Sequence, residues 1–209
     1  MNLKSWILPA CALLGVVSGL LVSTRAAAAQ ELSGPAAVSA LRQGGYVIVM
    51  RHASSPREVP DKKSANADNV TPERQLDEAG RASAVAMGKA MRDLKIPVGD
   101  VLSSPTYRAL ETARLAEFPN PRPTAELGDG GQSMQGVADT QAIWLKEKVA
   151  QAPKGTNTLM ITHMPNLSRA FPQASGIADG EALIFHPDGK GAAPLVGRIK
   201  IEQWPGMRP

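Results

Sequence analysis

The chain has 209 residues, 43% of them hydrophobic and 20% charged, which is enough apolar material for one domain with a proper core. A net charge of +4 without a run of Lys or Arg argues against a nucleic-acid arm, and 4% aromatics argue against stacking platforms for single strands. Cys11 is the only cysteine and lies in the leader-like segment described next, so the domain that follows offers no thiol nucleophile, disulfide or cysteine metal site.

Residues 1–29 read as an export signal. Lys4 gives a positive start, "WILPACALLGVVSGLLV" is apolar, and "STRAAAA" offers small residues for cleavage near Ala29. The competing readings are an uncleaved anchor, because the run has about the minimum length for a span, and a lipoprotein signal at Cys11. Residues 30–209 form one domain. "SGPAAVSALRQGG" is a helix with Ser33 or Gly34 as cap, Pro35 in the first turn and Gly44-Gly45 as its stop. "YVIVM" (46–50) is a continuous run rich in β-branched residues, suited to a central strand covered on both faces. Residues 53–72 are polar, with Pro56, Pro60 and Pro72, and make a loop of functional length. The pattern over 76–94 predicts an amphipathic helix with Ala82, Val85, Ala86 and Met87 to Met91 facing inward.

Val101 to Ser103 reads as a short second strand. Ser104 as N-cap and Pro105 as first helical residue open the helix "PTYRALETARLAE". Residues 119–131 hold at most a short strand near "TAEL". "MQGVADTQAIWLKEKVAQ" is a helix expected to bury Val137, Ile143, Trp144 and Val149. "NTLMITH" repeats the first pattern, an apolar strand that ends on a histidine. "EALIFHP", "DGKG" and "LVGRIKIEQW" read as an antiparallel hairpin. The alternation predicts an α/β fold: a three-layer α/β/α sandwich whose sheet is mostly parallel, with an antiparallel edge hairpin.

In such sheets ligands bind beyond the carboxyl ends of the strands. Arg51-His52, Ser103-Ser104-Pro105 and Thr162-His163 all fall at such ends. Arg108 lies in the first turn of the following helix, from which its side chain can fold back beside the unpaired N–H groups of the helix N-terminus. Two arginines and two histidines in one cleft repel one another unless an anion joins them, and a phosphoryl group matches guanidinium geometry. The same cations oppose protonation of His52 and keep it available as a nucleophile. Attack would give a phosphohistidine, with Arg51, Arg108 and His163 stabilising the spread charge before water releases phosphate. Each residue alone has a plainer reading: a surface Arg-His pair, a core histidine at 163, a solvated helix charge at 108. Their shared position at the strand ends carries the case. His186, in the hairpin beside Pro187, reads as structural or exposed.

These segments resemble the histidine phosphatase superfamily, in its phosphoglycerate-mutase-like branch, over nearly all of residues 45–204. "VMRHASSP" is similar to the family's Arg-His-Gly motif and "ERQLDEAGRASA" to the Leu-Thr-x-x-Gly segment opening its first long helix. "VLSSPTYRALETA" is similar to Ser-Ser-Pro-x-x-Arg-Ala-x-x-Thr-Ala, and "LMITHMPN" to the second-histidine segment. The resemblance implies the phosphoglycerate-mutase-like fold, with His52 as phosphorylated nucleophile and Arg51, Arg108 and His163 as the phosphate pocket. It also places Asn166 with the substrate-binding groups, with the helix N-terminus as its alternative reading; Ser55 is a further substrate-binding candidate.

Two departures stand out. Ala53 replaces the motif glycine, which requires a negative φ there, and the mutases' Glu-rich proton-donor segment has no clear counterpart. The general acid is therefore open: Glu181 at the start of an apolar strand is favoured, then Glu126, with Asp129 and Asp61 as further candidates. The expected protein is an exported phosphatase, periplasmic or secreted, hydrolysing a phosphomonoester with no cofactor and no metal. Its expected partner is a small phosphorylated substrate or a phosphorylated cell-envelope glycan, with no nucleic acid and no membrane contact beyond an uncleaved signal segment. The alternatives are a phosphohistidine- or sugar-phosphate-specific phosphatase and a non-catalytic phosphate-binding module of the same fold.

Overall fold

Val47 to Arg51 form β1, an interior strand with a helical layer over each face. The computed structural model describes residues 31–56, 74–129 and 138–209. In chain order the other elements are α1 (Gly34–Gln43), α2 (Glu78–Asp93), β2 (Val98–Ser103), α3 (Tyr107–Leu115), β3 (Arg122–Pro123), α4 (Asp139–Val149), β4 (Asn157–Thr162), α5 (Met164–Ala170), β5 (Ala182–Phe185) and β6 (Leu195–Ile199). Short 3-10 turns occupy Ala125–Leu127, Pro172–Ala174 and Ile201–Gly206.

The sheet order is β3-β2-β4-β1-β5-β6. β1 runs parallel to β4, pairing Val47 with Thr158 through Arg51 with Thr162, and antiparallel to β5, pairing Val47 with Phe185 through Met50 with Ala182. β2 is parallel to β4 and β3, and β5 and β6 are antiparallel. Alternation along β1 explains the layers. Ile48 and Met50 join a core with α1, α2 and α3, while Val47 and Val49 join a second core with α4 and α5. The expected α/β/α sandwich with its antiparallel edge is the architecture found.

Three element readings change. α2 buries Gly80, Ala84, Met87, Gly88 and Met91, whereas Ala82 faces solvent and Val85 is 48% exposed. The helix turns this way because its glycines allow close approach: a Cβ on Gly80 would stand 2.1 Å from the Ser54 carbonyl oxygen, and one on Gly88 2.0 Å from that of Ala116. α4 buries Ala142, Leu145 and Val149, leaving Ile143 54% exposed and Trp144 half-buried; Val137 lies outside the described residues. α3 begins at Tyr107, because the Ser104 N–H still bonds Ile161 across the sheet at 2.8 Å, which keeps Ser104 and Pro105 out of the helix.

The final segment leaves β6 and winds into the turn at Ile201–Gly206, burying Trp204. His186 is exposed and stacks on Tyr46, as a structural histidine would, with centroids 4.5 Å apart. The leader-like segment and Asp61 lie outside the described residues. Among the described residues no helix is long and apolar enough to cross a membrane.

Candidate active site

Parallel pairing of β1 with β4 brings their two histidines together. Arg51 is opposite Thr162, and the His52 N–H bonds the Thr162 carbonyl at 3.0 Å, so His52 and His163 leave the sheet side by side. Their rings meet edge to face, with centroids 5.2 Å apart, and both residues are 2% exposed. Arg108, also 2% exposed, reaches between them from the first turn of α3.

Hydrogen bonding assigns the tautomers. His52 Nδ1 lies 2.7 Å from the Ala53 carbonyl oxygen, which can only accept, so Nδ1 carries the proton. The Nε2 lone pair then receives Arg108 Nε at 3.2 Å and Arg74 Nη2 at 3.4 Å. Burial, followed by the charge of Arg108, holds the His52 imidazole well below its ordinary value; Arg74 and Arg51 add to this and the Ala53 carbonyl opposes it. For His163, Arg108 Nη2 donates to Nδ1 at 3.1 Å, so Nε2 carries the proton and donates to Ser104 Oγ at 2.8 Å. Its basicity is also lowered, by burial first and then by Arg108.

The substitution of Ala53 for glycine is accommodated. Ala53 is absent from the residues with positive φ (among non-glycines only Lys95, Glu117 and Asn120 of the described residues have it), and its methyl group is fully buried in the core. Its N–H donates to Thr112 Oγ1 at 3.2 Å, and that hydroxyl donates to the Arg108 carbonyl at 2.8 Å. One threonine therefore ties the turn after His52 to the helix that carries Arg108.

Arg74 is a site residue that the sequence reading passed over. It sits within the quoted "ERQLDEAG", where an arginine before a helix reads as a solvated charge. Asp77, the N-cap of α2, accepts from Gly80 N at 2.7 Å and from Ser54 Oγ at 2.6 Å, and Ser55 Oγ donates to the Gln75 carbonyl at 2.6 Å. These bonds dock residues 75–77 onto the two serines after His52 and so seat Arg74. Burial, then Arg108, lowers the Arg74 guanidinium to about 10, with Asp129 opposing. The proximity of this segment to "HASS" was the missing signal.

The cleft is a cavity of about 250 Å³ lined by Arg51, His52, Arg74, Arg108, Asp129 and His163, with Met164 and Pro165 completing its wall. Asp129 is the candidate acid that reaches it. Its carboxylate pairs with Arg108 Nη2 and lies 3.8 Å from His163 Nδ1. The loop that delivers it is gripped by its carbonyls: Thr162 Oγ1 donates to Leu127 at 2.8 Å, and Gln141 Nε2 and Asn166 Nδ2 donate to Gly128 at 3.1 and 2.8 Å.

The other candidates are corrected. Glu181, favoured as the acid, does not line the cavity; it accepts Arg198 Nε at 2.7 Å and the Ala178 N–H at 2.8 Å. Burial alone would raise its carboxyl, but these two bonds hold it below its ordinary value, the reverse of what a proton donor needs. Glu126 contributes no side chain to the lining. Asn166 is buried beside the 126–128 loop and holds it rather than facing the cavity, and Ser55 anchors Gln75. Among the described residues no group of three His, Cys, Asp or Glu is placed to hold a metal ion. Three guanidiniums and two neutral imidazoles around a small cleft suit a tetrahedral oxyanion, with the His52 Nε2 lone pair placed to attack it.

Residues 47–125 match the sequence model of the histidine phosphatase superfamily (branch 1). No curated protein matches the chain in sequence. Solved structures share its fold. The protein histidine phosphatase SixA complexed with tungstate is 16% identical with a TM-score of 0.55, over 76% of this chain and 98% of that one. A phosphoserine phosphatase mutant from Entamoeba histolytica, in complex with phosphoserine, is 11% identical with a TM-score of 0.54, over 75% and 98%. A mycobacterial glucosyl-3-phosphoglycerate phosphatase with inorganic phosphate is 15% identical with a TM-score of 0.54, over 76% and 99%. That match takes in His52, Arg74 and Arg108, and the mixed α/β fold shared with these solved structures agrees with it.

Proposed function

We propose that this protein is a phosphatase that hydrolyses phosphomonoesters through a phosphohistidine on His52. The observation that carries the reading is the state of that imidazole: neutral, its Nδ1 proton committed to the Ala53 carbonyl, its Nε2 lone pair held among guanidiniums in the cleft. Arg51, Arg74 and Arg108 take the phosphoryl oxygens. Nε2 donates its electron pair to phosphorus as the ester P–O bond breaks, and the leaving oxygen takes a proton from Asp129. Water then attacks phosphorus and gives its proton to the Asp129 carboxylate. The P–N bond breaks, and the pair returns to Nε2.

The test is hydrolysis of p-nitrophenyl phosphate by the purified protein. His52→Ala should lower turnover on the order of 10⁴-fold or more, and acid quenching during turnover should trap an acid-labile phosphoryl group on His52. Phosphate binding with no turnover in the intact protein would make it the non-catalytic module instead.

The leader-like segment supports an exported location and, with it, a phosphorylated envelope glycan or small phosphoester as substrate. Mass spectrometry of the protein recovered from the cell should find a chain beginning near residue 30. A chain retaining residues 1–29 in the cytoplasm would remove that support.

A further inference from the structure

Arg51 raises a problem that the catalytic reading leaves unsolved. Its guanidinium shares the cleft with Arg74 and Arg108, which repel it, and its side chain is 15% exposed, so an outward path to water exists. What holds it is a five-residue segment before β5. The Ile177 carbonyl accepts Arg51 Nη1 at 3.2 Å, and Asp179 pairs with Arg51 Nη2 at 2.6 Å. The same segment grips the main chain of the nucleophile: the Gly180 N–H bonds the His52 carbonyl at 2.9 Å, and the Arg51 N–H bonds the Glu181 carbonyl at 3.1 Å.

The segment is itself locked. The Glu181 carboxylate accepts from the Ala178 N–H and from Arg198 on β6, so Ala178 and Glu181, on either side of Asp179, are tied to the hairpin. Gly180 has φ +71°, and a Cβ there would stand 2.7 Å from the Ile201 side chain, so the turn closes only with glycine.

We infer that residues 177–181 form a bracket that sets the Arg51 guanidinium against His52, with Asp179 and Glu181 as positioning residues for phosphoryl binding. The inference rests on the phosphatase reading of the cleft. The bracket grips both the Arg51 side chain and the His52 carbonyl, so clamp and nucleophile keep one register. A guanidinium has five N–H bonds, and the bracket directs one of them to the Ile177 carbonyl while Asp179 pairs with its charge. Two effects of Asp179 oppose each other. Its charge repels an incoming phosphate, while its contact holds Arg51 where phosphate binds. The second is the larger on this account, because a misplaced clamp loses directional hydrogen bonds in a desolvated cleft, whereas Asp179 is 28% exposed and partly screened.

The experiment is titration of inorganic phosphate into the intact protein and into Asp179→Asn, Asp179→Glu and Glu181→Gln. Alongside it run KM and kcat for p-nitrophenyl phosphate and the ¹H–¹⁵N signals of the arginine side chains. Asp179→Asn should bind phosphate about tenfold more weakly, with KM rising more than kcat falls. Asp179→Glu should recover part of the loss by restoring the charged partner, and Glu181→Gln should weaken binding less than Asp179→Asn. Phosphate bound as tightly or more tightly by Asp179→Asn would overturn the inference. If the intact protein bound no phosphate, the phosphatase reading would fall, and the Arg51 signal would still decide the bracket. Its loss or averaging in Asp179→Asn supports the bracket, and its persistence unchanged refutes it. The signal serves equally if a variant is less stable, since it is read below the melting transition.

Discussion

Asp129 and Glu181 are buried to nearly the same extent, 6% and 5% exposed, and each meets an arginine. Their surroundings differ. The arginine of Asp129 is Arg108, which also touches both imidazoles, and the carboxylate borders the cleft. The arginine of Glu181 is Arg198, whose side chain is 29% exposed, and the second carboxylate oxygen is taken by a backbone N–H within the same loop. A buried acid needs a partner in either setting. What separates a candidate proton donor from a brace is whether its partner also faces a cavity where charge develops.

The largest effect that tests this contrast belongs to Asp129→Asn. On an alkyl phosphomonoester, turnover should fall about 10²- to 10⁴-fold, the range for a lost general acid. On p-nitrophenyl phosphate, whose leaving group needs no proton, the phosphorylation step, read as the pre-steady-state burst of nitrophenolate, should slow far less. A burst slowed as much as turnover of the alkyl substrate would mean that Asp129 acts by placing Arg108 and not by donating a proton.

Glu181→Gln should act on stability instead. Removing the charge leaves Arg198 without its carboxylate, at a cost of about 1–3 kcal/mol in urea unfolding. The pH dependence sharpens the point. Glu181 titrates below its ordinary value of 4.5 when folded, so between those two values the unfolded chain binds more protons. Its stabilising contribution is therefore present above 4.5 and is lost as pH falls through the lowered folded value. His52 and His163, whose folded values are also depressed, make the intact protein lose stability from about 6.5 downward, because the unfolded imidazoles take protons first. The variant should keep this upper slope and lose the one below 4.5. A slope below 4.5 unchanged in Glu181→Gln would remove Glu181 from the account.

Ser55→Ala should have the smallest effect. The hydroxyl holds the Gln75 carbonyl and only through it Arg74, so the loss is a hydrogen bond of about 1 kcal/mol. Melting should drop slightly while KM changes less than about fivefold. A larger rise in KM would return Ser55 to the substrate-contacting groups.

Much of the site was legible before any fold was seen, because strand direction is a local property. An apolar run that ends on Arg51-His52, and another that ends on Thr162-His163, place those groups at one edge once the sheet is parallel. The helix faces were less legible. Val85 and Ile143 look like core residues by hydrophobicity, yet α2 turns Gly80 and Gly88 inward for close backbone approach and α4 selects Ala142 and Leu145. Arg74 was hidden for a related reason: its docking depends on Ser54 and Ser55 meeting Asp77 and Gln75, contacts that no periodicity encodes.

The order of apolar strands and helices, and the residues at the strand ends, determined the fold class, the pairing of two histidines with two arginines and the chemistry of an anion-binding cleft. These follow from side-chain periodicity and chain direction, which operate over a few residues. The choice among carboxylates, the entry of Arg74 and the reassignment to scaffold of Glu181, expected as the acid, and of Asn166 and Ser55, expected at the substrate, belonged to the tertiary structure alone. An acid's role is set by what it faces, and Asp129 and Glu181 face residues that only long-range packing brings near.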